Sequence, residues 1–597
     1  MRINLSIMLL VIVISSCKTE PKNLETDSKT TEPNEAFKIM LDTYYEDGLK
    51  LNPLNATYTG DNRYNDQYPN TLSEEHKSKL KSYYTKYANL LKEFPDSTLT
   101  KTEQMSKAVL KWECDIALQG FNYKHRDYMP IDQMWSPHLT IGQLASGAGA
   151  QPFNTVDDYY NWLKRLDGYI EWLNNAKENM NIGYKKGYVL PESLIVKVLP
   201  QMESATIEDL EEHLFYTPIL SMPETFSEND KKEITEAYTS KIKNQLIPTY
   251  QSVYNFLKDD YLNVGRKSSG INDTPDGIEY YNYMIKVFTT TNMTADDIHN
   301  LGLSEVERIS SEMEKVKNQV GFDGDLKSFF DYVRNNSELM PFSDPQQVVD
   351  NFNAIHETMK PQIEKLFDLK PKTSFEVRRT EAFREASASA EYSQGSLDGT
   401  RPGIFYVPIP DVEKYNTFSD EALFLHEAIP GHHYQISLQQ EDQDLPQFRK
   451  TLWYSAYGEG WALYSESLGM ELGLYTDPYQ YFGMLGMEMH RAIRLVVDTG
   501  LHTKGWTREQ AIQYSLDHEA ESEASITSEI ERYMAMPAQA LSYKIGQLKI
   551  RALRAKAEQE LGTKFSISEF HNQVLSVGCV PLALLEDKIN SWIQSNM

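Results

Sequence analysis

Apolar positions recur at helical spacing along most of this chain. Between Thr102 and Leu118, the residues Met105, Ala108, Val109, Trp112, Ile116 and Ala117 follow a helical period. Tyr159 to Leu173, Phe226 to Leu257 and Ala295 to Val316 repeat the pattern, with turns expected at Pro69, Pro200, Pro223, Gly265 and residues 269–273. The period changes after Lys370. Ser374 to Arg379, Ser387 to Tyr392 and Gly403 to Pro408 are short β-prone runs, with a turn from Gly395 to Pro402. Thr417 to Asp420 has capping-box character and opens a helix through Ala422, Leu423, Phe424 and Leu425. The expected fold is mainly α, a large helical body with a small β-sheet before the site helices. Residues 37–370 form its N-terminal helical part, and residues 371–597 the part that carries the chemistry, in one integrated unit.

Composition narrows the function without naming it. The 597 residues are 40% hydrophobic and 24% charged, an ordinary globular balance. With 59 basic against 86 acidic side chains the formal charge is −27, which argues against non-specific nucleic-acid binding. No apolar run approaches the roughly 18 residues of a membrane span, so a multi-span membrane protein is excluded. Cys114 and Cys579 read as buried thiols, with pairing in an oxidising envelope as the alternative. At the start, Arg2 precedes an apolar run from Leu5 to Ile14, which suits a secretory signal. It ends in Ile14-Ser15-Ser16-Cys17, which resembles the lipobox of bacterial lipoproteins. That resemblance implies removal of residues 1–16 and a lipid anchor on Cys17. Lys18 stands where an inner-membrane retention aspartate would sit, favouring the outer membrane if the cell has one. Cleavage removes Arg2 alone among charged residues and takes the charge from −27 to −28. Residues 17–36, poor in apolar side chains, read as a flexible tether.

The candidate chemistry is a histidine cluster. Six of the 13 histidines lie between His426 and His518, where uniform scatter would place about two. The core is His426-Glu427-Ala-Ile-Pro430-Gly431-His432-His433-Tyr-Gln435. Zinc peptidases use two helical histidines as ligands and a neighbouring glutamate to act on the metal-bound water. The usual spacing would put histidine at 430, where this chain has proline. On a straight helix His432 lies about 9 Å and roughly 240° from His426, so the metal reading requires Pro430 and Gly431 to bulge the helix. His433 is the weaker ligand candidate. Polar residues on a kinked surface helix are the bland alternative. Glu459, in Trp453-Tyr-Ser-Ala-Tyr-Gly-Glu459-Gly-Trp-Ala-Leu-Tyr464-Ser-Glu466, is the best third ligand, because a carboxylate in so apolar a helix needs a metal or a buried arginine. Gly458 and Gly460 would admit a neighbouring helix, and Glu466 could orient a histidine from behind.

These motifs resemble the DUF885 family, bacterial proteins grouped with gluzincin-type zinc peptidases. The resemblance lies in residues 426–435 and 457–464, in Arg494-Leu-Val-Val-Asp498-Thr-Gly-Leu-His502, and in Glu531-Arg532-Tyr533 leading to Pro537 through Gly546. Asp398 to Gly403 and Asn52 to Thr57 extend it over roughly residues 37–590. It implies a zinc peptidase-like fold with His426, His432 and Glu459 as metal ligands and Glu427 as general base and acid on a peptide substrate. His502, Tyr533 and Tyr543 are candidate oxyanion donors, Tyr543 preferred. Arg532 or Arg401 would grip a substrate carboxylate, while Arg494 with Asp498 reads as a structural ion pair. Ser387–Tyr392 or Gly403–Val407 would pair with the substrate backbone. Rival readings are a zinc hydrolase of a non-peptide amide, such as cell-wall material, and a binding lipoprotein without turnover.

Overall fold

The computed structural model describes residues 32–597 apart from 148, 382–384, 386, 387, 397, 398 and 400. The signal, Cys17 and the tether up to residue 31 lie outside the described residues. Helix α1 (Glu35–Leu51) opens where the Asn34 side chain accepts from the Phe37 amide, inside the stretch read as tether. Helices α2 (Lys101–Gly120) and α3 (Val156–Tyr184) both start on capping boxes, Thr100 with Glu103 and Thr155 with Asp158. Pro200 makes no turn and lies inside α4 (Glu192–Ser204). Burial of Ile195, Val198 and Met202 around it offsets the lost backbone bond.

Two apolar cores hold the body together. One gathers around α3, with Trp162, Tyr169 and Trp172 against Tyr250. The larger draws residues from Phe37 to Ile593, on both sides of Lys370, and contains the long helices α5 (Ala295–Gln319) and α6 (Pro345–Leu366). Cys114 and Cys579 are buried free thiols within it. None of the described helices is long and apolar enough to cross a membrane.

The fold is mainly helical with one small sheet. Strands β1 (Phe375–Arg379), β2 (Glu391–Ser393) and β3 (Gly403–Val407) lie in the order β1-β3-β2. β3 runs parallel to β1 and antiparallel to β2. Its Phe405 packs edge-on against Phe352 of α6, ring centroids 5.0 Å apart, which fixes the sheet to the core. Both sides of β3 are therefore paired, and the expectation that Gly403–Val407 could pair with substrate does not hold. Among the described residues, the edges of the sheet are β1 and β2, and each sends an aromatic ring, Phe375 and Tyr392, to His433.

Helix α7 (Asp420–Glu427) follows. Its N-cap is Ser419 without a side-chain cap bond, and Thr417 instead donates to the Leu339 carbonyl at 3.2 Å, so no capping box forms there. Asp420 is buried and accepts from Tyr415 at 2.9 Å and Asn351 at 2.7 Å. Burial pushes its carboxyl up to about 8, against those two hydrogen bonds. The folded state therefore holds a proton that the unfolded chain has released between about pH 4 and 8. This contribution to stability is complete below about pH 4 and is lost as pH rises through 8. Asp420→Asn, measured by urea unfolding at pH 5 and pH 8, should flatten the pH dependence by at most about 1.4 kcal/mol per unit. Parallel curves for the two proteins would show that Asp420 stays ionised.

Candidate metal centre

The bulge expected at Pro430 is a full break. Helix α7 stops at Glu427, and α8 (His432–Glu441) starts at His432, with a cis Ile429–Pro430 peptide between them. A Cβ on Gly431 would overlap the carbonyl oxygens of Leu425 and His426, so the chain can fold back this tightly only at glycine. Trp461 Nε1 donates to the Pro430 carbonyl at 2.7 Å and pins the turn. The break removes the 240° problem, since His432 starts a new helix directed back at His426. Their rings meet edge to face, centroids 4.8 Å apart.

Helix α9 (Ser455–Glu466) brings the third side chain. Glu459 Oε2 lies 3.6 Å from His426 Nε2 and 3.4 Å from His432 Nε2, and the three donor atoms lie within 4.8 Å of one another. Ligands about 2.0–2.1 Å from a tetrahedral ion stand about 3.3 Å apart. The set of two imidazoles and one carboxylate therefore fits zinc in chemistry and nearly in spacing. Behind it, Glu466 Oε1 meets His426 Nδ1 at 2.6 Å, which leaves Nε2 as the free lone pair. Among the described residues, buried His432 Nδ1 has no hydrogen-bond partner, and its ring lies 5.8 Å from that of Trp453. Changing Glu466 to Gln should weaken zinc binding about 10- to 100-fold, read by competition with a chromophoric chelator. Unchanged affinity would show that Glu466 does not orient His426.

Gly460 on α9 meets Gly546 on helix α12 (Ser542–Leu561), where a Cβ would stand 2.5 Å from the Gly546 Cα. This is the close helix approach expected at Glu459. Gly458 instead makes room for the Trp453 ring. Trp453 lies before α9 and is 41% exposed, contrary to its expected burial on that helix.

Electrostatics follow from these neighbours. Burial alone would depress the His426 imidazole, but Glu459 and Glu466 hold it up at about 9. Burial would raise Glu459, yet the two imidazoles keep its carboxyl far below the usual range. Glu427 is pushed up by burial, opposed by His426 and His432, and so is held nearer to proton exchange.

The other expected site residues divide. His433 turns away: its Nδ1 meets Tyr392 at 3.1 Å and its ring packs on Phe375. Tyr543, at the start of α12, feels Glu459 next to burial, and among the described residues no hydrogen bond to its hydroxyl contributes to that environment. His502 is fully buried on helix α10 (Pro478–Thr503), where Nδ1 accepts from the Ile271 amide at 3.0 Å and Nε2 donates to the Tyr533 carbonyl at 3.0 Å. Both nitrogens are spent, so it is no oxyanion donor. Tyr533, on helix α11 (Glu523–Ala535), donates to Glu529 at 2.7 Å and accepts from Arg494 at 3.0 Å, and is likewise engaged. Arg532 is held by Glu529 and Gln539. Arg401 donates to the Gln394 carbonyl at 2.8 Å in an exposed turn. Arg494 does not pair with Asp498. It binds Glu529 at 2.9 Å, while Asp498 accepts from Tyr281 and the Ala538 amide. Helical spacing placed the two on one face, but each found a stronger partner on another element.

Residues 53–589 match the family described as bacterial protein of unknown function, DUF885. The chain belongs to that family. Among solved structures this DUF885 chain is similar to a candidate lipoprotein from Colwellia psychrerythraea, with 27% identity and a TM-score of 0.84 over 94% of this chain and 99% of that one. A candidate lipoprotein of unknown function from Shewanella oneidensis shares the fold at 20% identity and a TM-score of 0.72, over 92% and 99% of the two chains. An inhibitor-bound PZ peptidase A overlaps with 12% identity and a TM-score of 0.32 over 87% and 97%, too loosely to carry an argument. Comparison with curated proteins finds no match.

Proposed function

We propose that this protein is a zinc-dependent hydrolase that cleaves peptide bonds. The observation that carries the reading is the convergence of His426 Nε2, His432 Nε2 and a Glu459 oxygen beside the buried carboxyl of Glu427. Zinc held there by His426, His432 and Glu459 would supply Lewis-acid activation of water and of the scissile carbonyl. Glu427 takes the proton of the attacking water and passes it to the leaving amine, a role suited to a carboxyl that burial raises above its ordinary value. The Tyr543 hydroxyl donates to the developing oxyanion. Glu466 keeps the His426 ring in one tautomer and orientation.

The lipobox at Cys17 and the descriptions of the two similar structures together support a lipid-anchored protein of the cell envelope. A peptide library incubated with zinc-loaded and chelator-stripped protein tests the activity. Cleavage that needs zinc and returns on re-addition is expected. Cleavage that survives complete zinc removal would overturn the mechanism.

A further inference from the structure

Beside the metal ligands lies a buried cluster of charged side chains. Arg494 of α10, His490 of the same helix and Arg532 of α11 gather on Glu519 and Glu529, and Arg491 of α10 donates Nη1 to the Met487 carbonyl at 3.3 Å. Glu529 accepts from Arg494 Nη2 at 2.9 Å, from Arg532 Nε and Nη2 at 2.9 and 2.8 Å, and from Tyr533 at 2.7 Å. His490 is held between Glu519 and Glu529. Two guanidinium groups, those of Arg494 and Arg532, thus share the single carboxylate of Glu529.

Two donors remain unused. Arg494 Nη1 and Arg491 Nε are buried without a hydrogen-bond partner among the described residues. Arg494 is itself only 7% exposed. A buried guanidinium edge with no acceptor is destabilising unless an anion completes it. The cluster adjoins the metal centre through Tyr543, whose ring centroid is 4.6 Å from the Arg494 guanidinium. The charge of Arg491 also reaches Glu427. The His432 and Glu459 side chains keep 11% and 15% exposure, so the centre opens to solvent.

We infer that Arg491 and Arg494, backed by Arg532, receive a carboxylate of the substrate next to the scissile bond. This rests on the peptidase reading and gives it a substrate class: peptides that present a carboxylate, either the C-terminal one or an acidic side chain. It also moves the carboxylate grip from Arg532 and Arg401 to Arg491 and Arg494.

The test compares acetyl-tetra-alanine as free acid, the same peptide as C-terminal amide, and an amide with one alanine replaced by glutamate. Zinc-loaded protein should prefer the free acid over the plain amide by roughly 10- to 100-fold in kcat/KM. Recovery of the rate in the glutamate amide would assign the site to an acidic side chain. Calorimetry of the same peptides with the Glu427→Gln protein reads binding without turnover, and should show the same order. Equal kcat/KM and equal affinity for acids and plain amide would overturn the inference while leaving the hydrolase reading intact. Carboxylate-selective binding with no cleavage by the unaltered protein would do the reverse. In Arg491→Gln, checked for an unchanged unfolding midpoint, the acid preference should fall about tenfold, and in Arg494→Lys, which keeps the charge but not the fork, it should also fall. A folded variant of either kind with the full preference intact would overturn the assignment of that residue.

Discussion

Replacement of Glu427 by glutamine should lower peptide hydrolysis by about 100- to 10,000-fold with zinc still bound. Glutamine keeps the shape and the hydrogen-bonding reach of the side chain but cannot carry the proton. Among the described residues no hydrogen-bond donor holds the Glu427 carboxyl ionised, whereas Glu459 and Glu466 meet His426 or His432. The raised pKa of Glu427 arises from burial, which the two imidazoles only partly oppose. The effect should fall on kcat far more than on KM, because the proton moves only as the water attacks. Single-turnover kinetics and zinc content on one preparation check it. A variant with unaltered kcat and full zinc would place the proton transfer on another group.

Gly431→Ala should have the second large effect, destabilising the protein by on the order of 3 kcal/mol and removing zinc affinity. The added methyl group would overlap the carbonyl oxygens of both Leu425 and His426. These are backbone atoms at the end of α7 and cannot swing aside as a side chain would. Relief requires α7 and α8 to separate, which carries His432 away from His426. Urea unfolding and chelator competition measure the two consequences together. A variant as stable as the parent with full zinc affinity would show that the turn adapts without moving the histidines.

Much of this site is legible in the residues, and the reason is local. His426, Glu427 and His432 lie on either side of one short break, and the composition of Pro430-Gly431 announces that break. Glu459 stands out as a carboxylate among Tyr457, Trp461 and Tyr464, all buried. Glu466, two turns along the same face, is where a partner for His426 was expected. The fold class is legible for the same reason, since α2, α3 and α5 each contain a run of helical period.

What the residues do not disclose depends on elements distant in the chain. Arg494 and Asp498 stand four apart on α10, yet Glu529 of α11 and Tyr281 claim them. Nothing in the spacing of α10 reports that a carboxylate 35 residues later wins the guanidinium. His502 shares a motif with Arg494 but spends both nitrogens on backbone groups from two other segments. Trp453 reads as part of the buried helix because its neighbours are apolar, but α9 begins after it. Its position as a half-exposed ring beside His432 is a tertiary fact.

Zinc K-edge absorption on the purified full-length protein tests the central claim most directly. One zinc per chain is expected, with a first shell of nitrogen and oxygen at about 2.0–2.2 Å and the outer-shell signal of two imidazoles, lost together in His426→Ala. A chain that retains no zinc, or a shell containing sulfur at about 2.3 Å, would contradict the account.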